Sequence, residues 1–113
     1  MDKDKDKDID IDIDIDKANI EIEAATFRKI LAHLKNNPDV QNIELMNLAN
    51  FCRNCISKWY VSSAEEKGES IDYEKAREMV YGMPYSKWKS LYQTEATKEQ
   101  KEAFAKHIEK DHS

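Results

Sequence analysis

The chain has 113 residues, which is enough for one domain with one hydrophobic core and too few for two. Two Gly, two Pro and a charged fraction of 36% favour a helical protein over a turn-rich β fold. The formal net charge is −5, of which −4 belongs to residues 1–17 with their eight Asp and four Lys. Residues 18–113 are nearly neutral, which argues against a non-specific nucleic-acid binder.

Residues 1–17 form a low-complexity segment. Every even position from Asp2 to Asp16 is Asp, with Lys and then Ile between. The Ile-Asp alternation has the period of a strand, but Asp disfavours strands and one face would carry only like charges. We predict a disordered acidic tail over 1–17, with a partner-induced β-strand as the alternative, and a single α-helical domain over 18–113.

The compartment follows from what the sequence lacks. No apolar run approaches the roughly 18 residues that span a bilayer, and the N-terminus has no apolar segment of a secretory signal. Two cysteines three positions apart do not make a secreted disulfide framework. We therefore expect a cytoplasmic protein without a membrane partner.

Two helices are predicted in the first half. The first begins at Ala18 or Ile20 and ends at Leu34. Asn37 and Pro38 fit the cap and the first position of a central helix.

The central helix is predicted to continue to about Glu66, where Gly68 stops it. At that length it would extend roughly 40 Å, longer than the core of one such domain needs, so that one end projects or packs on a second copy. Its apolar arc consists of Leu45, Leu48, Ala49, Cys52, Ile56, Trp59 and Tyr60.

Three shorter helices are predicted in the second half. One spans Asp72 to Tyr81 with Gly82 as its C-terminal cap, and the next starts at Pro84. The last follows a capping box over 97–100 and ends near Lys110. The fold class is thus all-α, with four to five helices packed around one long central helix.

One segment also carries a family resemblance. The run NIELMNLANFCRNCISKWY over 42–60, followed by Ala76-Arg77-Glu78, by VYGMPY over 80–85 and by Trp88-Lys89, resembles the bacterial family called domain of unknown function 1244. The resemblance covers most of the chain after about residue 24. It implies a small multihelical cytoplasmic protein that could form an oligomer, and it implies no activity.

Cys52 and Cys55 are the only motif with recognised chemical potential, and three interpretations compete. A redox pair normally places its first Cys at a helix N-terminus, whereas this pair lies more than three turns into the predicted helix. Their Cβ atoms would be about 5–6 Å apart, too far for a disulfide. Thiolates at this spacing could bind zinc or iron, with His33, His107 or a second copy completing the site. The preferred interpretation is packing, with Cys52 in the core and no cofactor.

Two further groups are candidate contact sites. The polar cluster could bind an anionic ligand or hold catalytic groups, or it could be solvated or connect neighbouring helices, and it consists of Glu44, Asn47, Arg53, Asn54 and Lys58. We also consider that Arg53 pairs with a carboxylate such as Glu78. The second group is an aromatic turn that closes the core or forms a pocket wall or dimer contact, and consists of Tyr81, Met83, Pro84, Tyr85 and Trp88.

Lys flanks both Trp59 and Trp88, a pattern found in nucleic-acid binders. Helical spacing explains it better, with both indoles on apolar faces and the Lys side chains in water. No Ser-His-Asp set, phosphate loop or paired carboxylate supports an enzyme. We predict a non-enzymatic interaction or structural protein, a homodimer through the central helix, and keep a metal or thiol-redox protein as the alternative.

Overall fold

The chain is all-helical in a computed structural model that describes the backbone of residues 2–112 and the side chains of residues 15–106. Within that part there are six helices and no strand, which confirms the all-α class and corrects the predicted number of four to five. The helices are α1 (Asp2–Asn36), α2 (Asn42–Ala49), α3 (Arg53–Glu66), α4 (Tyr73–Tyr81), α5 (Tyr85–Tyr92) and α6 (Lys98–His112).

The chain divides into two compact units, Met1–His33 and Leu34–Ser113. The first unit consists of α1 up to His33, and its described part exposes Ile20 and Ile22. The predicted disordered tail falls mainly on residues 1–14, whose side chains lie outside the described part, so it stays a prediction, as does the single domain over 18–113. No described helix carries the long apolar stretch that crossing a bilayer requires.

The predicted central helix is two helices, α2 and α3, which corrects the expectation of one long helix. Asn50 ends α2 with φ 62° and ψ 26°, in the left-handed region, and its N–H donates to the Met46 carbonyl at 2.9 Å. Asn adopts this conformation more readily than other non-glycine residues, because its short polar side chain makes local hydrogen bonds. Cys52 is extended, with φ −144° and ψ −175°, and is the N-cap of α3.

The start of α2 also differs from the prediction. Asn37 and Pro38 belong to a turn in which the Val40 N–H donates to the Asn37 carbonyl at 3.2 Å. Gln41, not Asn37, is the N-cap, and its N–H donates to the Glu44 carboxylate at 3.0 Å. A Glu at the third helical position satisfies a backbone donor in this way, which moves the helix start four residues along the chain.

The core of the second unit lies where α3 packs on α4 and α4 packs on α5. Its buried apolar side chains are Cys52, Ile56, Ala76, Val80, Tyr81 and Trp88. Cys52 and Trp88 are buried as predicted. Leu48 and Trp59 are 85% and 56% exposed, so their placement on a buried arc was wrong. The break at 50–52 shifts α2 out of phase with α3, and one apolar arc cannot run along both.

The later helices follow the sequence signals closely. Gly82 caps α4 with φ 80°, and Pro84 precedes α5. The Thr97 N–H donates to Gln100 Oε1 at 2.8 Å, and the Gln100 N–H donates to Thr97 Oγ1 at 3.1 Å. The predicted capping box before α6 is therefore confirmed. α6 in turn packs on α2.

The left-handed conformation of Asn50 can be tested by substitution. Asn50→Val should lower the free energy of unfolding by about 1–2 kcal/mol more than Asn50→Gly, because a β-branched residue is strained at positive φ and Gly is not. Both variants lose the Asn side chain, so their difference isolates the backbone. Urea unfolding followed by circular dichroism measures it, and equal losses would contradict the broken helix.

Candidate functional site

A buried arginine lies at the centre of the second unit. Arg53 is 1% exposed, and its Nη1 donates to the Val40 carbonyl at 2.7 Å and to Asn42 Oδ1 at 3.1 Å. Its Nη2 donates to the Asn37 carbonyl at 3.1 Å, and the guanidinium lies 5.0 Å from the centre of the Trp88 ring. Burial lowers the pKa of Arg53 from its ordinary value, but a guanidinium stays charged in proteins. Arg53 therefore joins the 37–42 turn to α3 through carbonyl oxygens, rather than through the carboxylate that we considered.

A tyrosine hydroxyl extends this polar network. Asn42 Nδ2 donates to the Tyr81 hydroxyl at 2.9 Å, and that hydroxyl donates to Asn54 Oδ1 at 2.7 Å. Burial raises the pKa of Tyr81 above its ordinary range, so the phenol is neutral and keeps its proton for donation. The start of α2, the start of α3 and the end of α4 are thus linked by side chains that are mutually satisfied.

Gln41 fixes the segment that follows α5. Its Nε2 donates to the carbonyls of Asp39 at 2.9 Å and Tyr92 at 2.8 Å, and its Oε1 accepts from the Thr94 N–H at 2.9 Å. The buried amide therefore uses both its donor and its acceptor ends. The loop between α5 and α6 is held against the start of α2 by these bonds.

These elements enclose a cavity of about 510 Å³, within the size range of small-molecule sites. Its wall combines aromatic and apolar side chains with amides, two hydroxyls, one carboxylate and one thiol. The lining residues are Gln41, Asn42, Ile43, Met46, Cys52, Asn54, Tyr85, Trp88, Gln93, Thr94, Glu95, Ala96 and Phe104. All of them lie in the second unit.

The aromatic wall of the cavity is supported from behind. Tyr81 packs edge-on against both Tyr85 and Trp88, with ring centres 5.3 and 5.0 Å apart. The Arg77 guanidinium stacks 3.9 Å from the centre of the Tyr85 ring and forms a salt bridge with Glu74. Such contacts hold the two rings in fixed orientations.

Cys52 and Cys55 lie at the first turn of α3, not three turns into a helix. Cys52 is the N-cap and Cys55 the third helical residue, and both are free thiols. Burial raises the pKa of Cys52, an increase that the nearby backbone N–H groups of Cys55 and Asn54 only partly offset. Cys55 is less buried, and its Sγ lies 3.9 Å from Met46 Sδ. The argument that helix position excludes a redox pair is therefore wrong.

The proposed metal ligands are not brought together in the part of the chain that is described. No group of three or more His, Cys, Asp or Glu residues there could share a metal ion. His33 lies in the first unit, and the side chain of His107 is outside the described residues. Zinc or iron at Cys52 and Cys55 stays untested.

The predicted polar cluster separates into two parts. Arg53 and Asn54 join the buried network, and Asn47 Nδ2 donates to the Gln100 carbonyl at 3.1 Å, which connects α2 with α6. Glu44 and Lys58 are exposed.

In the predicted aromatic turn, Tyr85 and Trp88 do form a cavity wall and Tyr81 supports it. Met83 is half-buried and Pro84 is exposed, and neither lines the cavity.

A family model described as "Protein of unknown function (DUF1244)" matches residues 40–106, more than half of the chain. The chain belongs to this family. A comparison with curated proteins finds no significant match. The DUF1244 match includes every residue that lines the cavity and excludes all of α1, and with it the acidic segment.

Sequence reasoning missed several cavity residues of this DUF1244 chain. Gln41 and the segment 93–96 lie in loops or caps, where helical periodicity carries no information. A local signal existed for Gln41, because Glu44 stands at the position that completes a capping box. No local signal existed for the hydrogen bonds between Gln41 and residues 92 and 94, because these bonds depend on the tertiary position of α5.

The Tyr81 hydroxyl provides a test of the polar network in this DUF1244 protein. Tyr81→Phe leaves Asn42 and Asn54 with unsatisfied groups and should lower the free energy of unfolding by about 1–3 kcal/mol. Tyr85→Phe is the matched control, since the described residues offer its hydroxyl no hydrogen bond, and should change stability by less than about 0.5 kcal/mol. Chemical denaturation measures both, and similar losses would contradict the network.

Proposed function

We propose that this chain is a non-enzymatic binding domain whose ligand is a small neutral molecule held in the cavity between α2, α5 and α6. The observation that carries the proposal is the lining of the cavity. Aromatic and aliphatic surface from Ile43, Trp88 and Phe104 faces amide groups from Asn42 and Gln93. The apolar part of the wall exceeds the polar part, and a combination of apolar walls with placed polar groups is typical of small-molecule sites.

The charge of the lining favours a neutral ligand over an anion. Among the lining residues, all of which the structure describes, only Glu95 has a charged side chain. The guanidinium of Arg53 is nearby, but its described bonds are to three carbonyl oxygens. An anion would meet the Glu95 carboxylate without gaining a direct cationic partner.

The walls are held by hydrogen bonds within the chain. Gln41 holds the 92–94 segment, and the Arg53 and Tyr81 hydrogen bonds fix the starts of α2 and α3. A site that needs little ordering loses less conformational entropy on binding. This supports binding rather than a purely structural role for the domain.

A homodimer also stays a prediction. Its original ground was one long projecting helix, which α2 and α3 replace. What remains in its support is exposed apolar surface at Leu48 on α2 and Trp59 on α3. The compartment is likewise a proposal, cytoplasmic on the argument from the two cysteines alone.

Ligand binding can be measured through tryptophan fluorescence. The chain has two Trp residues, so Trp59→Phe leaves Trp88, which lines the cavity, as the sole reporter. We expect neutral aromatic amides, with benzamide as the first probe, to shift Trp88 emission saturably. Benzoate, of nearly the same shape, should bind at least about tenfold more weakly because of its charge.

Two further variants control this experiment. Ala96→Phe fills the cavity from its wall and should abolish the emission shift, whereas Ala105→Phe changes an exposed residue of α6 outside the lining and should not. Circular dichroism confirms that each variant is folded. A panel of neutral aromatic amides that gives no shift dependent on Ala96 would contradict the proposed function.

A further inference from the structure

The break between α2 and α3 changes what Cys52 and Cys55 can do. The side chains of an N-cap residue and of the third helical residue both lie at the first turn, where in a capping box each reaches the backbone N–H of the other residue. Cys52 and Cys55 occupy these two positions, and the Cys55 thiol contributes to the raised pKa of Cys52. A bond between the two sulfur atoms therefore does not require the interior of a helix to unwind.

The two thiols have different surroundings. Cys52 is 7% exposed and belongs to the residues that line the cavity. Cys55 is not part of the lining, but it packs against Met46, which is a lining residue. Cys52 thus belongs to the wall of the candidate site, and Cys55 lies beside it in the first turn of α3.

We propose that Cys52 and Cys55 are a dithiol–disulfide pair that exchanges with a low-molecular-mass disulfide bound in the cavity. The inference rests on the proposed function only in that the disulfide occupies the same cavity. It adds a chemical reaction to what would otherwise be a passive site.

The exchange takes place in two displacements. Cys52 gives its proton to water and its thiolate attacks one sulfur of the bound disulfide, which forms a mixed disulfide and releases the other half as a thiol after protonation. Cys55 then gives up its proton, and its thiolate attacks the Cys52 sulfur and displaces the second thiol. The substrate disulfide is reduced by two electrons and two protons, and the pair is oxidised to one disulfide.

The buried environment sets the character of the first step. A raised pKa leaves less Cys52 thiolate at neutral pH, but the thiolate that forms is more nucleophilic. Because the sulfur is buried at the cavity wall, only a disulfide that enters the cavity reaches it. Binding of the disulfide beside the Cys52 sulfur then compensates for the small thiolate fraction.

The experiment treats the reduced full-length chain with hydroxyethyl disulfide, a small neutral probe, and follows intact mass and peptide maps over time. The wild type should lose the mass of two hydrogen atoms as the Cys52–Cys55 bond forms. The Cys55→Ser variant should stop at the mixed disulfide, with a hydroxyethylthio group attached to the Cys52 sulfur. The rate of the first step should keep rising with pH past the ordinary range of a thiol, as a raised pKa requires.

The cavity variants test where the disulfide binds. Ala96→Phe should slow adduct formation on Cys52 at least about tenfold, and Ala105→Phe should leave it unchanged. Circular dichroism verifies that each variant is folded.

Three results would overturn the proposal: two adducts without an internal disulfide in the native chain, a first adduct on Cys55, or equal rates in wild type and Ala96→Phe. Benzamide binding to the Trp59→Phe variant involves no thiol. Its presence or absence therefore separates a failure of exchange from a failure of the proposed function.

Discussion

The second unit is organised around the buried positive charge of Arg53. A buried guanidinium is costly unless its N–H groups find acceptors. Arg53 donates to the backbone carbonyls of residues 37 and 40 and to the side-chain oxygen of Asn42. These carbonyls are available only because the chain turns between α1 and α2 instead of entering a helix at Pro38. Trp88 covers the guanidinium from the side of α5. The turn, the start of α3 and the position of α5 therefore depend on one side chain.

The same arrangement explains why the chain is broken after Asn50. In one continuous helix, positions 42 and 53 would be 11 residues and roughly 16 Å apart along the axis. Arg53 Nη1 instead lies 3.1 Å from Asn42 Oδ1, which is possible because the chain changes direction between the two helices. The left-handed Asn50 and the extended Cys52 provide this change of direction. The position of Cys52 at the N-cap of α3 belongs to the same change of direction.

The sequence predicts the later helices well because their signals are local. Gly82 at positive φ, Pro84 before α5 and the Thr97–Gln100 capping box each act within four residues. The break at Asn50 was missed because LMNLANFC continues a helical apolar pattern, and Asn is a weaker stop signal than Gly. Once the two halves are treated as one helix, Trp59 is assigned to the core and the cysteines to a helix interior.

The candidate site was predicted in part, for the same reason. Tyr85 and Trp88 belonged to a group for which a pocket wall was one of three alternatives, whereas Gln41 and the 93–96 segment contribute through tertiary hydrogen bonds alone. The helical periodicity of the sequence also could not predict that Arg53 is buried without a described carboxylate partner. A charged residue at the edge of an apolar arc is ordinarily assigned to a surface ion pair, and only the course of the 37–42 turn reveals its carbonyl partners.

The burial of Cys52 links the cavity to its chemistry. An exposed thiol of ordinary pKa reacts with any oxidant in solution, whereas the Cys52 sulfur is reached through the cavity and ionises less readily. Selectivity then comes from the cavity walls and not from the intrinsic reactivity of the sulfur. Because the polar network fixes those walls independently of the thiols, binding and exchange can be separated by substitution: Cys55 can be changed without altering the lining, and Ala96 without altering the cysteines. That separability makes each proposal testable apart from the other.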